Sequence, residues 1–86
     1  MKLRPEFITH MTGNQQVMVS VGGNGFHGVV YSNKTAAEII DLLKQEVTRE
    51  QLIREMGKKY DAPEAVISDD VDHVLGALRK IGALEE

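Results

Sequence analysis

The chain has 86 residues, enough for a single domain spanning 1–86 with a modest core. It holds no cysteine and no tryptophan, which excludes disulfides, thiolate chemistry and cysteine-bound metals and leaves Val, Ile, Leu and Met to fill the interior. A net charge of −3 gives no general attraction to nucleic acid or anionic lipid. Arg4, Pro5 and Glu6 interrupt Met1-Lys2-Leu3 before any apolar run, so neither a signal peptide nor a membrane span is read and the expected location is the cytoplasm.

Phe7 to Met11 reads as a first strand, with Phe7, Thr9 and Met11 on one face and Ile8 and His10 on the other. Gly13-Asn14 signals a turn. Val17, Val19 and Val21 alternate with Met18 and Ser20 in a clearer second strand. Gly22-Gly23-Asn24-Gly25 is a turn, and Phe26 to Tyr31 is a third strand. Short connections between successive strands imply an antiparallel meander with the third strand on one edge.

Beyond Tyr31 the hydrophobic period changes. Thr35 with Glu38 reads as a capping box opening a helix from about Thr35 to Gln45, with Ala36, Ile39, Ile40 and Leu43 on its apolar face. Thr48 with Gln51 repeats the signature and opens a second helix carrying Leu52, Ile53, Met56 and Tyr60. Lys58 and Lys59 sit in its last turn, and Asp61-Ala62-Pro63 stops it. Ser68 or Asp69 is the expected cap of a third helix, with Asp70 and Asp72 in its first turn. Val71, Val74, Leu75, Leu78 and Ile81 form its apolar stripe, and Gly82 is the expected C′ residue. Ala83 and Leu84 are expected to fold back onto the core while Glu85 and Glu86 fray. The fold class is α+β and winged-helix-like: a three-stranded antiparallel sheet followed by three helices. One sheet face packs on the helices, and the other is solvated or covered by a partner.

Three signals of chemistry have plainer explanations. Gly23-x-Gly25-x-x-Gly28 matches a dinucleotide fingerprint, but a strand follows it where the pyrophosphate needs a helix N-terminus. His10, His27 and His73 lack metal-ligand spacing. Asp69-Asp70-x-Asp72 lacks the spaced oxygens and central glycine of a calcium loop, and helix capping accounts for it. No nucleophile–base–acid set appears, so no enzyme activity and no cofactor or metal is expected. The remaining rival is a winged-helix DNA-binding regulator, against which the three aspartates weigh, because they would meet phosphates with like charge.

An ordered series of modest motifs then points to a family. Tyr31-Ser32-Asn33-x-Thr35-Ala36-Ala37-Glu38-Ile39-Ile40-x-Leu42-Leu43 is followed by Thr48-x-Glu50-Gln51-Leu52 and Tyr60-Asp61. Asp70-Val71-x-x-Val74-Leu75-x-x-Leu78 and Gly82-x-Leu84 complete it. Over residues 28–84 the chain resembles the PqqD family, small proteins related to the PQQ biosynthesis protein D. It departs at Ser32, where leucine is usual, and at Lys44-Gln45-Glu46-Val47, where an Asp-Gly turn is common. These proteins share the fold of the precursor-recognition domains that serve ribosomally made, post-translationally modified peptides.

The resemblance implies a non-catalytic peptide chaperone. Its partners would be the leader of a precursor peptide and a modifying enzyme, often a radical SAM protein. The leader would add as a strand to the edge of strand three, beside the third helix. The residues themselves allow this. Gly28, Val29, Val30 and Tyr31 carry no proline, lysine or glutamate to guard an edge, and Gly28 admits a close backbone. Val71, Val74, Leu75 and Leu78 form one apolar set shared between core and groove, and Arg79 and Lys80 can meet leader carboxylates. The plain alternative is that the stripe is only core and the charges only a solvated face. An unguarded edge also permits a homodimer.

Overall fold

The computed structural model describes residues 1–21 and 28–86. The elements are β1 (Lys2–Leu3), β2 (Phe7–Thr12), β3 (Gln15–Ser20), β4 (Val29–Ser32), α1 (Lys34–Leu42), α2 (Arg49–Lys59), α3 (Glu64–Lys80) and β5 (Leu84–Glu85). The glycine-rich turn, Phe26 and His27 at the start of the third strand, and most of the dinucleotide-like match lie outside the described residues.

β2, β3 and β4 form an antiparallel sheet in that order. The β2–β3 turn places Gly13 at φ 63° while every described non-glycine residue keeps a negative φ. A hairpin loop with glycine first and a positive φ only there follows the right-handed twist of its strands. Strand register puts Phe7, Met18 and Val30 toward α1 together with Gln16 and Ser32. Ile8, His10, Val17, Val19, Val29 and Tyr31 take the opposite face. The valines of β3 therefore point outward, and the inward set is the more polar one. Gln16 is buried there, its Nε2 donating to Asp41 Oδ1 at 3.0 Å.

Three helices follow, with three boundaries moved from their expected positions. α1 is capped by Asn33, whose Oδ1 accepts from the Ala36 amide at 2.8 Å, so Thr35 sits inside the first turn and forms no capping box. Asparagine is among the best N-cap residues, and its place two positions upstream wins. The helix stops at Leu42 because Leu43 O is taken by Leu3 N–H at 2.7 Å. α3 begins at Glu64, not at Ser68 or Asp69. Pro63 ends the preceding link and also supplies the first acceptor, its carbonyl receiving the amides of Val66 and Ile67 at 3.0 and 3.2 Å. The early start gives Ile67 a buried place against Gly57 of α2, which lengthens the apolar stripe by one turn. Ser68 Oγ donates to Ala65 O, so its hydroxyl does not cap.

The Thr48–Gln51 capping box is formed in both directions. Gly82 ends α3 at φ 71°, with Gly82 N–H bonded to Arg79 O and Ala83 N–H to Leu78 O at 3.1 and 2.9 Å. This double bond pattern is the Schellman motif. Ala83 and Leu84 are buried, as expected, but Glu85 does not fray. β5 pairs antiparallel with β1, Lys2 opposite Glu85 and Leu3 opposite Leu84. Met18, Ile39, Leu43, Leu52, Met56, Val71 and Leu75 are the largest fully buried side chains, and they join the sheet to all three helices. Among the described residues no helix is long and apolar enough to cross a membrane.

Candidate peptide-binding site

β4 pairs with β3 on one side only, Val17 opposite Tyr31 and Val19 opposite Val29. Among the described residues its other side carries no strand, so alternate backbone N–H and C=O groups face away from the sheet. Gly28 is exposed immediately before the strand. Val29 and Tyr31 project from the outer face and are 48% and 64% exposed. Val30 is half-buried on the inner face.

Where β4 gives way to α1, a groove of about 170 Å³ separates Asn33, Thr35 and Ala36 from Asp70, His73 and Val74 of α3. The Asn33 cap holds the near wall, because it starts α1 directly after the strand. The far wall is the flank of α3 bordering the core, where Val74 is partly buried against the core and also lines the groove. Ala77 continues that face three residues on and is exposed. A smaller pocket of about 90 Å³ adjoins, sharing Thr35 and Asp70 and reaching Ile39, Met56 and Tyr60. The Tyr60 hydroxyl is buried there with no hydrogen-bond partner among the described residues.

The structure divides the α3 stripe. Val71, Leu75 and Leu78 are 0%, 1% and 3% exposed and pack in the core. Val74 alone of the set stands at the groove. Arg79 donates from Nε and Nη2 to both carboxylate oxygens of Glu86, each at 3.0 Å. That pair holds the Glu86 carboxyl below, and the Arg79 guanidinium above, their ordinary values. A ligand carboxylate at Arg79 would therefore compete with one already bound. Asn33, Thr35, Ala36, Asp70 and His73 line the groove and were not among the expected binding residues. The signal available was spacing: Asp70, Val74 and Ala77 follow the same helical repeat as the core stripe, one position off it.

On the other side of α3, Arg49 of α2 donates to both oxygens of Asp72 at 2.7 and 2.9 Å. This engages one cation of the mildly basic helix, and Lys58 pairs with Glu55. Asp69, Asp70 and Asp72 are exposed along α3, so a helix reading DNA would bring carboxylates to the phosphates. Among the described residues no three histidine or carboxylate side chains form a metal-ligating group.

Comparison with known proteins identifies a family and a shared fold. The family model described as coenzyme PQQ synthesis protein D (PqqD) matches residues 15–84. Two solved structures share the fold. One is described as TbiB1 in complex with the TbiA(beta) leader peptide, at TM-score 0.83 and 16% identity, covering 99% of this chain and 95% of that one. The other is described as lasso peptide synthetase B1 complexed with the leader peptide, at TM-score 0.78 and 21% identity, covering 99% and 96%. No curated protein matches the chain significantly.

Proposed function

We propose that this chain, which belongs to the PqqD family, binds the leader of a ribosomally made precursor peptide and presents it to a modifying enzyme, catalysing nothing itself. The leader lies as an added strand on β4, pairing with the backbone of Gly28 to Tyr31. Side chains pointing to the helix side enter the groove against Val74. The observation that carries this reading is the open edge of β4 lying beside a groove walled by α3. Both structural neighbours named above are complexes with a leader peptide, which supports leader binding here. Backbone pairing supplies affinity that is indifferent to sequence, and the groove supplies the choice of side chain. A radical SAM protein is the enzyme class we assign as recipient, and the cytoplasm is where we place the transfer.

The test is a titration of the ¹⁵N-labelled chain with the leader of a precursor encoded beside it. Amides of Gly28 to Ala36 and of Asp70 to Ala77 are expected to shift at micromolar peptide. Shifts confined to the exposed surface of α2, or none, overturn the reading. A second copy of the chain competing for the same edge is detected by a molecular mass that rises with concentration and falls on adding leader.

A further inference from the structure

The sheet has a second open margin. β2 pairs with β3 alone, so among the described residues no strand lies on the far side of Ile8 to Thr12. Its sequence, Phe-Ile-Thr-His-Met-Thr, holds no proline and no lysine, arginine or carboxylate to guard that side. The charge stands beside the strand instead. A cleft of about 430 Å³ runs along its first half, lined among others by Lys2, Arg4, Lys44, Ile8, Thr9 and Glu85.

Three cations reach this cleft from two segments, β1 with the residue that follows it and the turn after α1. Lys2 lies in β1, whose partner strand β5 holds Glu85. Arg4 is fixed by its backbone, its N–H donating to Ala83 O at 2.8 Å and its carbonyl accepting from Phe7 N–H at 3.0 Å. Lys44 follows α1 and pairs with Asp41 at 3.1 Å. Among the described residues neither Lys2 nor Arg4 forms an ion pair. Glu85 is the single carboxylate in the lining. Asp41 partly neutralises Lys44 and Glu46 lies in the field of Lys2, so the positive excess of the cleft centres on Arg4, a local feature on a chain of net charge −3.

An unpaired strand edge offers backbone pairing to any extended chain, and flanking charge decides which chain is favoured. We propose that the β2 edge and its cationic cleft form a second strand-docking site, taking an acidic extended segment of the enzyme that receives the leader. This rests on the leader-binding reading above. β2 lies two strand spacings from β4, about 10 Å, with the edges facing opposite ways. One extended peptide on β4 does not reach it, whereas a second polypeptide does so without displacing the first. Leader and enzyme would then be held by opposite margins of one sheet, at a separation set by β3.

The experiment uses the full ¹⁵N-labelled chain and two probes, acetyl-Val-Glu-Val-Glu-Val-amide and acetyl-Val-Lys-Val-Lys-Val-amide. At low salt the acidic probe is expected to shift the amides of Arg4 and Ile8 to Thr12 while those of Val29 to Ser32 stay in place. The basic probe gives no such shift. Raising ionic strength, or the double substitution Arg4→Glu with Lys44→Glu, is expected to weaken the acidic probe roughly tenfold. Should the double variant not fold, the salt series on the unaltered chain decides. Equal response to both probes, shifts confined to β4, or no shift at millimolar acidic probe overturns the proposal. Failure of the leader reading shows elsewhere, as an absence of β4 shifts in the leader titration.

Discussion

The two outer strands of the sheet resemble each other in composition and differ in what stands next to them. β2 is six residues long and β4 is four, both pair with β3, and both lack charged or proline guards. Beside β4 is the flank of α3, with Val74 and Ala36 across a narrow groove. Beside β2 is a wider cleft rimmed by Lys2, Arg4 and Lys44. Val74 and Ala36 reward burial of an apolar side chain while Asp70, His73 and Thr35 offer polar contacts, so this groove suits a peptide chosen for the shape and pairing of its side chains. A cationic rim acts over a longer range and suits recognition by charge, which salt weakens. The lesson is that edge strands are not distinguished by their own residues here. Their neighbours make the difference.

That contrast can be broken at its root through β3, which both margins share. Met18 is fully buried at the centre of the sheet, opposite Thr9 on one side and Val30 on the other. Met18→Ala should cost about 2–5 kcal/mol, the usual range for a buried methionine truncated to alanine, and abolish binding at either margin. Urea denaturation measures it, and a change below the lower figure would mean the sheet collapses around the gap.

Proline on β4 sharpens the contrast. Successive amides of a strand point to opposite sides, so of Val30 and Tyr31 one donates to β3 and the other to the open edge. Proline at the first should destabilise the fold, and proline at the second should weaken leader binding with little loss of stability. Calorimetric binding and thermal melting together separate the two, and equal effects at both positions would remove β4 from the site.

Val74→Glu tests the wall itself. A carboxylate in the groove beside Asp70 should weaken leader binding by about tenfold, or ~1.4 kcal/mol, while the probe response of β2 stays unchanged. Leader affinity that does not move would place the recognised side chains elsewhere.

The smallest expected effect is a control. The Arg49 guanidinium holds the Asp72 carboxyl below its ordinary value by hydrogen bonding and charge. A carboxyl whose pKa is lower in the folded state contributes stability above the unfolded pKa and loses it as pH falls through the folded one. The pair is exposed, so its loss in acid below about pH 4 should be slight, and Asp72→Asn should flatten it. It lies away from the groove, so leader affinity at neutral pH should be the same for Asp72→Asn and the unaltered chain.

Much of the architecture was legible because it is written in short-range pattern. The second capping box, the Gly13 turn and the Gly82 stop are each specified within a few residues, and each formed as read. The first helix start was misread because two cap signatures overlap, and Asn33 prevails over Thr35. The start of α3 was misread because Pro63 can end one segment and begin another. In the candidate site, the β4 edge was legible, since meander order alone puts the third strand outermost. The separation of Val74 from Val71, Leu75 and Leu78 was not, because all four share one apolar stripe.

Residue order by itself determined three strands then three helices, their turns, and a strand left at the margin, because hydrophobic period and capping act over neighbours in the chain. Tertiary structure alone decided that the β3 valines face outward, that Leu3 and Leu84 meet in a small second sheet, and which margin stands by a helix and which by cations. Those outcomes depend on contacts between residues far apart in sequence, whose burial no local pattern encodes.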